Sequence, residues 1–410
     1  MNQTMYTTFA WRYFKAKKSA TAINIIAWVT IGVIAFATCC QLLVLSVFNG
    51  FEGLVKDSYS SFYSDIKILP TQGKTFLLPT HQVQQIQQQN FVQQLSGIAE
   101  EKAMLQNGEF QTVIYLKGVD DNYKTVSGVS QKMRSGKYDI GNVDAPLLVI
   151  GAGVENAINV NINGAFAAND LVLILPKKNE TSNDPLAALS EGNAKAAGVF
   201  AIQQEFDNKY AIANIDFVRQ QMNLQPDEYS AIEIKLKPKA KPAEAKLALQ
   251  KLLGKSFTIQ TKYEQNTSLY NTMQLEKWAI YAVLTLILII AAFNMISALT
   301  MLVLEKKKDI AILQSIGTTK AGILKIFLAE GLLLGFIGCA IGIGLALLIS
   351  FIQLQWHIIP LKGGTFLINY FPVKIVVTDI VLVAATALII AFVAALFPAY
   401  KASRERVELK

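Results

Sequence analysis

Apolar residues are distributed along this chain in two different ways. In four stretches they run almost unbroken. Ser19–Phe51, Trp278–Leu304 and Ile380–Tyr400 contain no Asp, Glu, Lys or Arg, and Lys325–Ile352 is interrupted after its first residue by Glu330. A helix needs about 20 apolar residues to cross a hydrocarbon core of ~30 Å, so each stretch is read as a membrane span. The first span follows Arg12, Lys15, Lys17 and Lys18. Its apolar run is too long for a secretory leader, and an uncleaved anchor is expected.

Between the first and second spans the pattern changes to alternation. Ser64–Pro70 and Phe110–Val119 read as strands, with a weakly amphipathic helix over Gln82–Leu95 marked by Val83, Ile86 and Val92. Ser230–Lys237 places Ile232, Ile234 and Leu236 on one face of a strand. Pro242–Leu253 has proline in its first turn and Gly254 after its end, a helix signature. Phe257–Tyr263 then reads as a strand. Two strand–helix–strand units predict a split ferredoxin-like subdomain. The middle, about 120–228, is expected to be an inserted, mostly β subdomain with strands at Leu147–Ile150, Asp170–Pro176, Gly198–Gln203 and Tyr210–Asp216. The polar stretch Lys177–Ala197 admits two readings, a surface loop or an extended partner-binding hairpin.

The fold class is therefore an α-helical four-span bundle plus a large extracytoplasmic α+β domain. The expected divisions are an amphipathic cytoplasmic helix at 1–18, spans at 19–49, 276–304, 325–352 and 377–398, and the α+β domain at 50–275. A cytoplasmic loop at 305–324, an outer loop at 353–376 and a cytoplasmic tail at 399–410 complete the chain. Tyr6, Phe9, Tyr13 and Phe14 recur at helical spacing in the first of these segments.

Charge orients the layout. The net charge of +8 lies largely in flanks: the four basic residues before span one, then Lys306, Lys307, Lys308, Lys320 and Lys325, and finally Lys401, Arg404, Arg406 and Lys410. Basic residues gather on the cytoplasmic side, which puts both termini inside and the α+β domain outside. With the charge so explained, no nucleic-acid platform is expected.

Covalent chemistry has little to work with. No phosphate-cradling G-x-x-x-x-G-K-[ST] loop occurs, and the two histidines, His81 and His357, lack a ligand neighbour at helical spacing. Cys39, Cys40 and Cys339 all fall in spans, so no disulfide framework is expected. The chain is read as a non-enzyme with a mechanical or recognitive role. In span three Gly331-x-x-x-Gly335 and Gly338-x-x-x-Gly342 allow close helix approach, for packing or for a sliding or dimer interface. Glu330 is read as snorkelling or meeting a functional partner, and Asn294 and Ser297 as hydrogen-bonding across helices.

Leu304–Gly317, LEKKKDIAILQSIG, lies between spans two and three. It can form a helix with Ile310, Leu313 and Gly317 on one side. Basic bias accounts for its lysines, but the run Ile310-Ala311-Ile312-Leu313 would be left exposed without a partner. The segment is expected to receive force from a separate motor protein.

LEKKKDIAILQSIGTTKAGILKIFLAEG resembles the coupling segment of FtsX-like, MacB-type ABC permeases. The DIAIL phrase followed by Gly317 is most similar to the lipoprotein-releasing (LolC/LolE) branch. FAWRYFKAKK (Phe9–Lys18), VLSVFNGFE (Val44–Glu52) and FPAYKAS (Phe397–Ser403) resemble the same branch. Gln314 departs from the family, standing where arginine is usual, and the tail lacks the typical Pro-x-Glu-Ala-Leu-Arg ending.

The resemblance implies a permease subunit of the bacterial inner membrane, with its large domain periplasmic. Its partners would be a cytoplasmic ABC ATPase dimer and a second permease subunit, in a homodimer or heterodimer. ATP and Mg would be bound by that ATPase, with no cofactor in this chain. Glu305, Lys308, Asp309, Ile310, Leu313 and Gly317 would couple to the ATPase. A lipoprotein substrate would enter from the outer leaflet at Val44, Val47, Phe48, Phe51, Met273 and Tyr281. By position, Lys177–Ala197, with Asn183, Pro185 and Leu186, would be a hook that binds a periplasmic carrier. The alternatives within the superfamily are a MacB-like exporter permease and an FtsX-like regulator of a wall hydrolase.

Overall fold

The computed structural model describes residues 21–162, 170–178, 188–361 and 370–405, with side chains from Ile25 onward. The expected helix at 1–18 lies outside them. Two units form: a helical one, including residues up to Leu54 and from Asn271 onward, and an α/β one, Val55–Tyr270.

Among the described residues, four helices are long and apolar enough to cross a membrane: Thr21–Phe62, Thr267–Glu305, Lys320–Trp356 and Val377–Ser403. The first two continue beyond the expected spans into residues assigned to the α/β unit. A shared core joins Ile31 and Ile34 of the first helix to Met295 and Leu299 of the second. Leu334 of the third and Ala391 and Ala395 of the fourth complete it.

The span-three glycines account for how closely these helices approach. A Cβ at Gly335 would lie 2.5 Å from the Ala391 Cβ, and one at Gly331 would meet the Ala395 Cβ at 2.5 Å. A Cβ at Gly338 would meet Ile34 at 2.9 Å, and one at Gly342 would meet the Thr38 Cβ at 2.9 Å. Of the two expected uses, packing within the bundle is the observed one. Glu330 is buried at 4% exposure within helix Lys320–Trp356, which starts five residues before the expected span.

In the α/β unit the strands are β1 (Ile66–Pro70), β2 (Phe76–Leu77), β3 (Val92–Asn107), β4 (Phe110–Val119), β5 (Met133–Gly136) and β6 (Leu147–Gly151). They continue with β7 (Asp170–Pro176), β8 (Leu189–Phe200), β9 (Tyr210–Asn214), β10 (Glu228–Tyr229), β11 (Ala231–Leu236) and β12 (Phe257–Thr261). The order β12-β1-β11-β3, all antiparallel, with helices Thr80–Gln87 and Pro242–Leu253 on one face, is the ferredoxin-like arrangement expected. Ile232, Ile234 and Leu236 pack with Ile86 and Leu249 on the helix side. Ala231 and Glu233 alternate to the other face. There Glu233 takes a 2.7 Å ion pair from Lys117, whose ammonium sits over the rings of Phe62 and Tyr123.

The rest of the unit closes on itself. β3 pairs β4, β4 pairs β9, β9 pairs β6, β6 pairs β8, β8 pairs β7, and β7 returns to β3. This ring surrounds Leu105, Leu116, Ile150, Leu173 and Ala211. The insertion therefore differs from the one expected at about 120. The sixteen-residue β3 begins in the ferredoxin-like sheet and ends in the ring.

Three other elements differ. The helix expected over Gln82–Leu95 ends at Gln87, because Val92 and Leu95 are buried as strand residues. The strand expected at Gly198–Gln203 is the end of β8, which starts at Leu189 and pairs β7 from Pro176↔Leu189 to Asp170↔Lys195. Of the stretch Lys177–Ala197, the last nine residues, Leu189–Ala197, belong to β8, which forms a hairpin with β7 as one of the two readings expected. Asn214 turns the chain from β9 into helix Ile215–Met222 by accepting hydrogen bonds from the N–H groups of Asp216 and Phe217.

Candidate coupling and membrane-access sites

The second long helix ends at Glu305, Lys306 breaks the helical run, and a short helix follows over Lys307–Ser315. Asp309 sits in its first turn, where the helix dipole favours a carboxylate, and Lys306 pairs with it at 3.3 Å. Gly317 has φ of +91°, in the left-handed region, while its N–H reaches the Gln314 carbonyl. Its place is a helix terminus that a side chain would strain. Thr319 then caps the third long helix by accepting from the Gly322 N–H.

The short helix does not expose Ile310-Ala311-Ile312-Leu313 as one run. At about 100° per residue, positions 310 and 313 share one face, and 312 and 316 share another. Ile310 is 2% exposed and packs with Leu302, Val303, Ile323, Phe327, Ala399 and Ala402. Leu313 is half-buried. The outward apolar side chains are Ile312, 58% exposed, and Ile316, 77% exposed. Ile310 is therefore an anchor for this helix and not part of its free face. Glu305 and Lys308 are exposed. Gln314, the departure from the family pattern, donates to the Glu405 carbonyl at 3.3 Å, and Lys307 pairs with the Glu405 carboxylate at 2.6 Å. The tail holds the short helix in place.

The six expected access residues are not one open surface. Val44 is exposed, Val47 and Phe48 are half-buried, and Met273 is buried. Phe51 meets Phe371 edge to face at 5.8 Å, and the Tyr281 hydroxyl hydrogen-bonds Thr386 of the fourth long helix. The hook residues Asn183, Pro185 and Leu186 lie outside the described residues.

Between Met273 and Tyr281 lies a cluster that the sequence reading passed over. The Lys277 ammonium donates to Asn49 Oδ1 at 2.9 Å and to both Asp379 oxygens at 3.2 and 3.1 Å. Asn49 Nδ2 donates to Asp379 Oδ2 at 2.6 Å. Asp379 and Asn49 are buried. The signal was faint but present: Lys277 directly precedes one uncharged run, and Asp379 directly precedes another. A cavity of about 150 Å³ adjoins this knot, lined also by Leu45, Gln274, Trp278, Tyr281 and Leu382. Among the described residues no three His, Cys, Asp or Glu side chains gather as a metal site would need.

Residues 281–407 match the family described as FtsX-like permease C-terminal, so this part of the chain is a permease domain of that kind. The relatives extend the match to nearly full length, bearing out the resemblance read from the coupling segment. The chain is 27% identical to the lipoprotein-releasing system transmembrane protein LolC of Neisseria meningitidis, over 98% of each chain. It is 24% identical to the lipoprotein-releasing system transmembrane protein LolE of Haemophilus influenzae, over 96% of each. Among solved structures, the periplasmic region of MacB from Actinobacillus actinomycetemcomitans aligns with a TM-score of 0.35 at 15% identity. That alignment covers 50% of this chain and 92% of the other.

Proposed function

We propose that this chain is the membrane subunit of an ABC transporter, powered by a separate cytoplasmic ATPase dimer, that releases lipoproteins from the outer leaflet of the bacterial inner membrane. The observation that carries this reading is the short helix Lys307–Ser315, set between two long apolar helices and offering Ile312 and Ile316 to a partner. The basic flanks support a cytoplasmic position for that helix and a periplasmic one for the α/β unit. The similarity to relatives named as lipoprotein-releasing transmembrane proteins supports lipoproteins as the cargo class.

The energetics explain the need for a motor. Acyl chains favour lipid by about 0.8 kcal/mol per CH₂, so extraction costs many kcal/mol. ATP binding closes the ATPases, the short helix carries the motion, and the first two long helices pass it to the α/β unit. No cargo crosses the bilayer. A second permease subunit, identical or related, completes the assembly, and the β7–β8 hairpin is the element available to a periplasmic carrier.

Two measurements test the reading. Depleting the protein in its native bacterium should shift acylated outer-membrane lipoproteins into the inner-membrane fraction; an unchanged partition rejects a general release role. Ile312→Asp combined with Ile316→Asp should lower release at least tenfold while leaving the amount and melting temperature of the protein unchanged. Wild-type release by that variant removes the coupling assignment.

A further inference from the structure

A knot of three polar side chains ties three long helices together near the ends of their uncharged runs. Lys277 lies on the second, Asn49 on the first, and Asp379 in the first turn of the fourth. Near lipid such groups are costly unless paired, and these satisfy one another. Yet a buried ion pair adds little over apolar packing of the same volume. Hydrogen bonds between membrane helices contribute only about 0.6–2 kcal/mol. The knot is therefore a weak way to hold a bundle permanently and a suitable way to hold it until a motor pulls.

Its surroundings agree. The bundle is closely packed at Gly331 and Gly335, but at the knot it leaves a cavity of about 150 Å³. Met273 and Tyr281 lie four residues to either side of Lys277, on one face of the second helix. Tyr281 makes a further tie to Thr386 of the fourth.

We propose that the Lys277–Asp379–Asn49 knot is a latch between the second and fourth helices that must open in each transport cycle, and that these residues position the access face. The inference rests on the transporter reading above, and its test separates the two. Gln274 and Leu382 line the cavity on the two helices without belonging to the knot. Gln274→Cys with Leu382→Cys, in a chain whose Cys39, Cys40 and Cys339 are alanine, lets a reducible bis-thiosulfonate reagent join the helices while the latch stays intact.

Crosslink yield is measured in native membranes, which requires no assumption about cargo. It should fall several-fold when ATP and vanadate are added. An unchanged yield overturns the latch. Lipoprotein release by the crosslinked protein should drop at least tenfold and return on reduction. Release at the uncrosslinked rate also overturns it. If yield responds to nucleotide while depletion leaves lipoprotein partition unchanged, the latch stands and the cargo reading falls. Lys277→Asp and Asp379→Lys should each weaken the nucleotide response, and the double exchange should restore it to within about threefold. Failure of that rescue, with the double variant present at wild-type levels, removes the pairing from the mechanism.

Discussion

The third and second long helices meet the fourth in opposite ways. The third does so through shape: Gly331 and Gly335 bring its backbone against Ala395 and Ala391, with no polar group involved. The second does so, around Lys277, through charge and hydrogen bonds beside a cavity of about 150 Å³. A contact made of small residues loses dispersion energy steeply with separation. A contact made of hydrogen bonds can exchange partners with water or cargo. One is suited to stay shut and the other to open.

The largest expected break of this contrast is Gly335→Leu. It forces a side chain where even a Cβ would lie 2.5 Å from Ala391. It should cost about 3 kcal/mol, read as a fall in melting temperature of the detergent-purified protein. Lys277→Met is expected to cost less, about 1–2 kcal/mol, because Lys277 is partly exposed and Asp379 keeps the hydrogen bond from Asn49. Adding Asp379→Leu should return most of that stability yet abolish the nucleotide response. Stability and switching would then part at the charged contact, as they cannot at the glycine one.

Asp65 provides the aqueous counterpart. It pairs with Lys262 at 2.9 Å and Lys235 at 3.4 Å and accepts from the Leu236 N–H at 3.0 Å. Burial raises its pKa, but Lys262, the Leu236 N–H and Lys235 more than offset this, leaving the carboxyl below its ordinary value. Its stabilisation is therefore complete above the unfolded value, about pH 4, and fades as pH falls through the lower folded value. Asp65→Asn should cost about 1–2 kcal/mol near neutrality and lose that penalty in acid, measured by hydrogen exchange at β1, β11 and β12. The smallest effect is expected at Gly344, where a Cβ would meet nothing within 4 Å. Gly344→Ala should change stability by less than about 1 kcal/mol, in the stabilising direction.

What could be read in advance follows from how local each signal is. β11 was legible because Ile232, Ile234 and Leu236 face one covered side, and the ferredoxin-like order followed from two such units. Ring closure was not, because β7 reaches β3 through only three pairs, Met104↔Ile174 to Gln106↔Val172, far apart in the chain. The coupling helix was legible from its composition and place. Its outward face was not: alternatives one residue apart on a nine-residue helix differ by what the tail and neighbouring helices cover, as Ile310 shows. The knot joins residues 102 positions apart, each lying just beyond an uncharged run. A search for uninterrupted apolarity steps over both.

The second long helix runs from Thr267 to Glu305 as one α-helix. From Glu305 back to Lys277 is 28 residues, about 42 Å at 1.5 Å each. Along that length the helix acts as a stiff rod. An axial push or a twist that reaches Glu305 is passed to Lys277 with nearly its full displacement, because no break interrupts the helix between them. The gearing of this protein would then be close to one to one, so the distance travelled at the far end is set by the motor and hardly by the bundle.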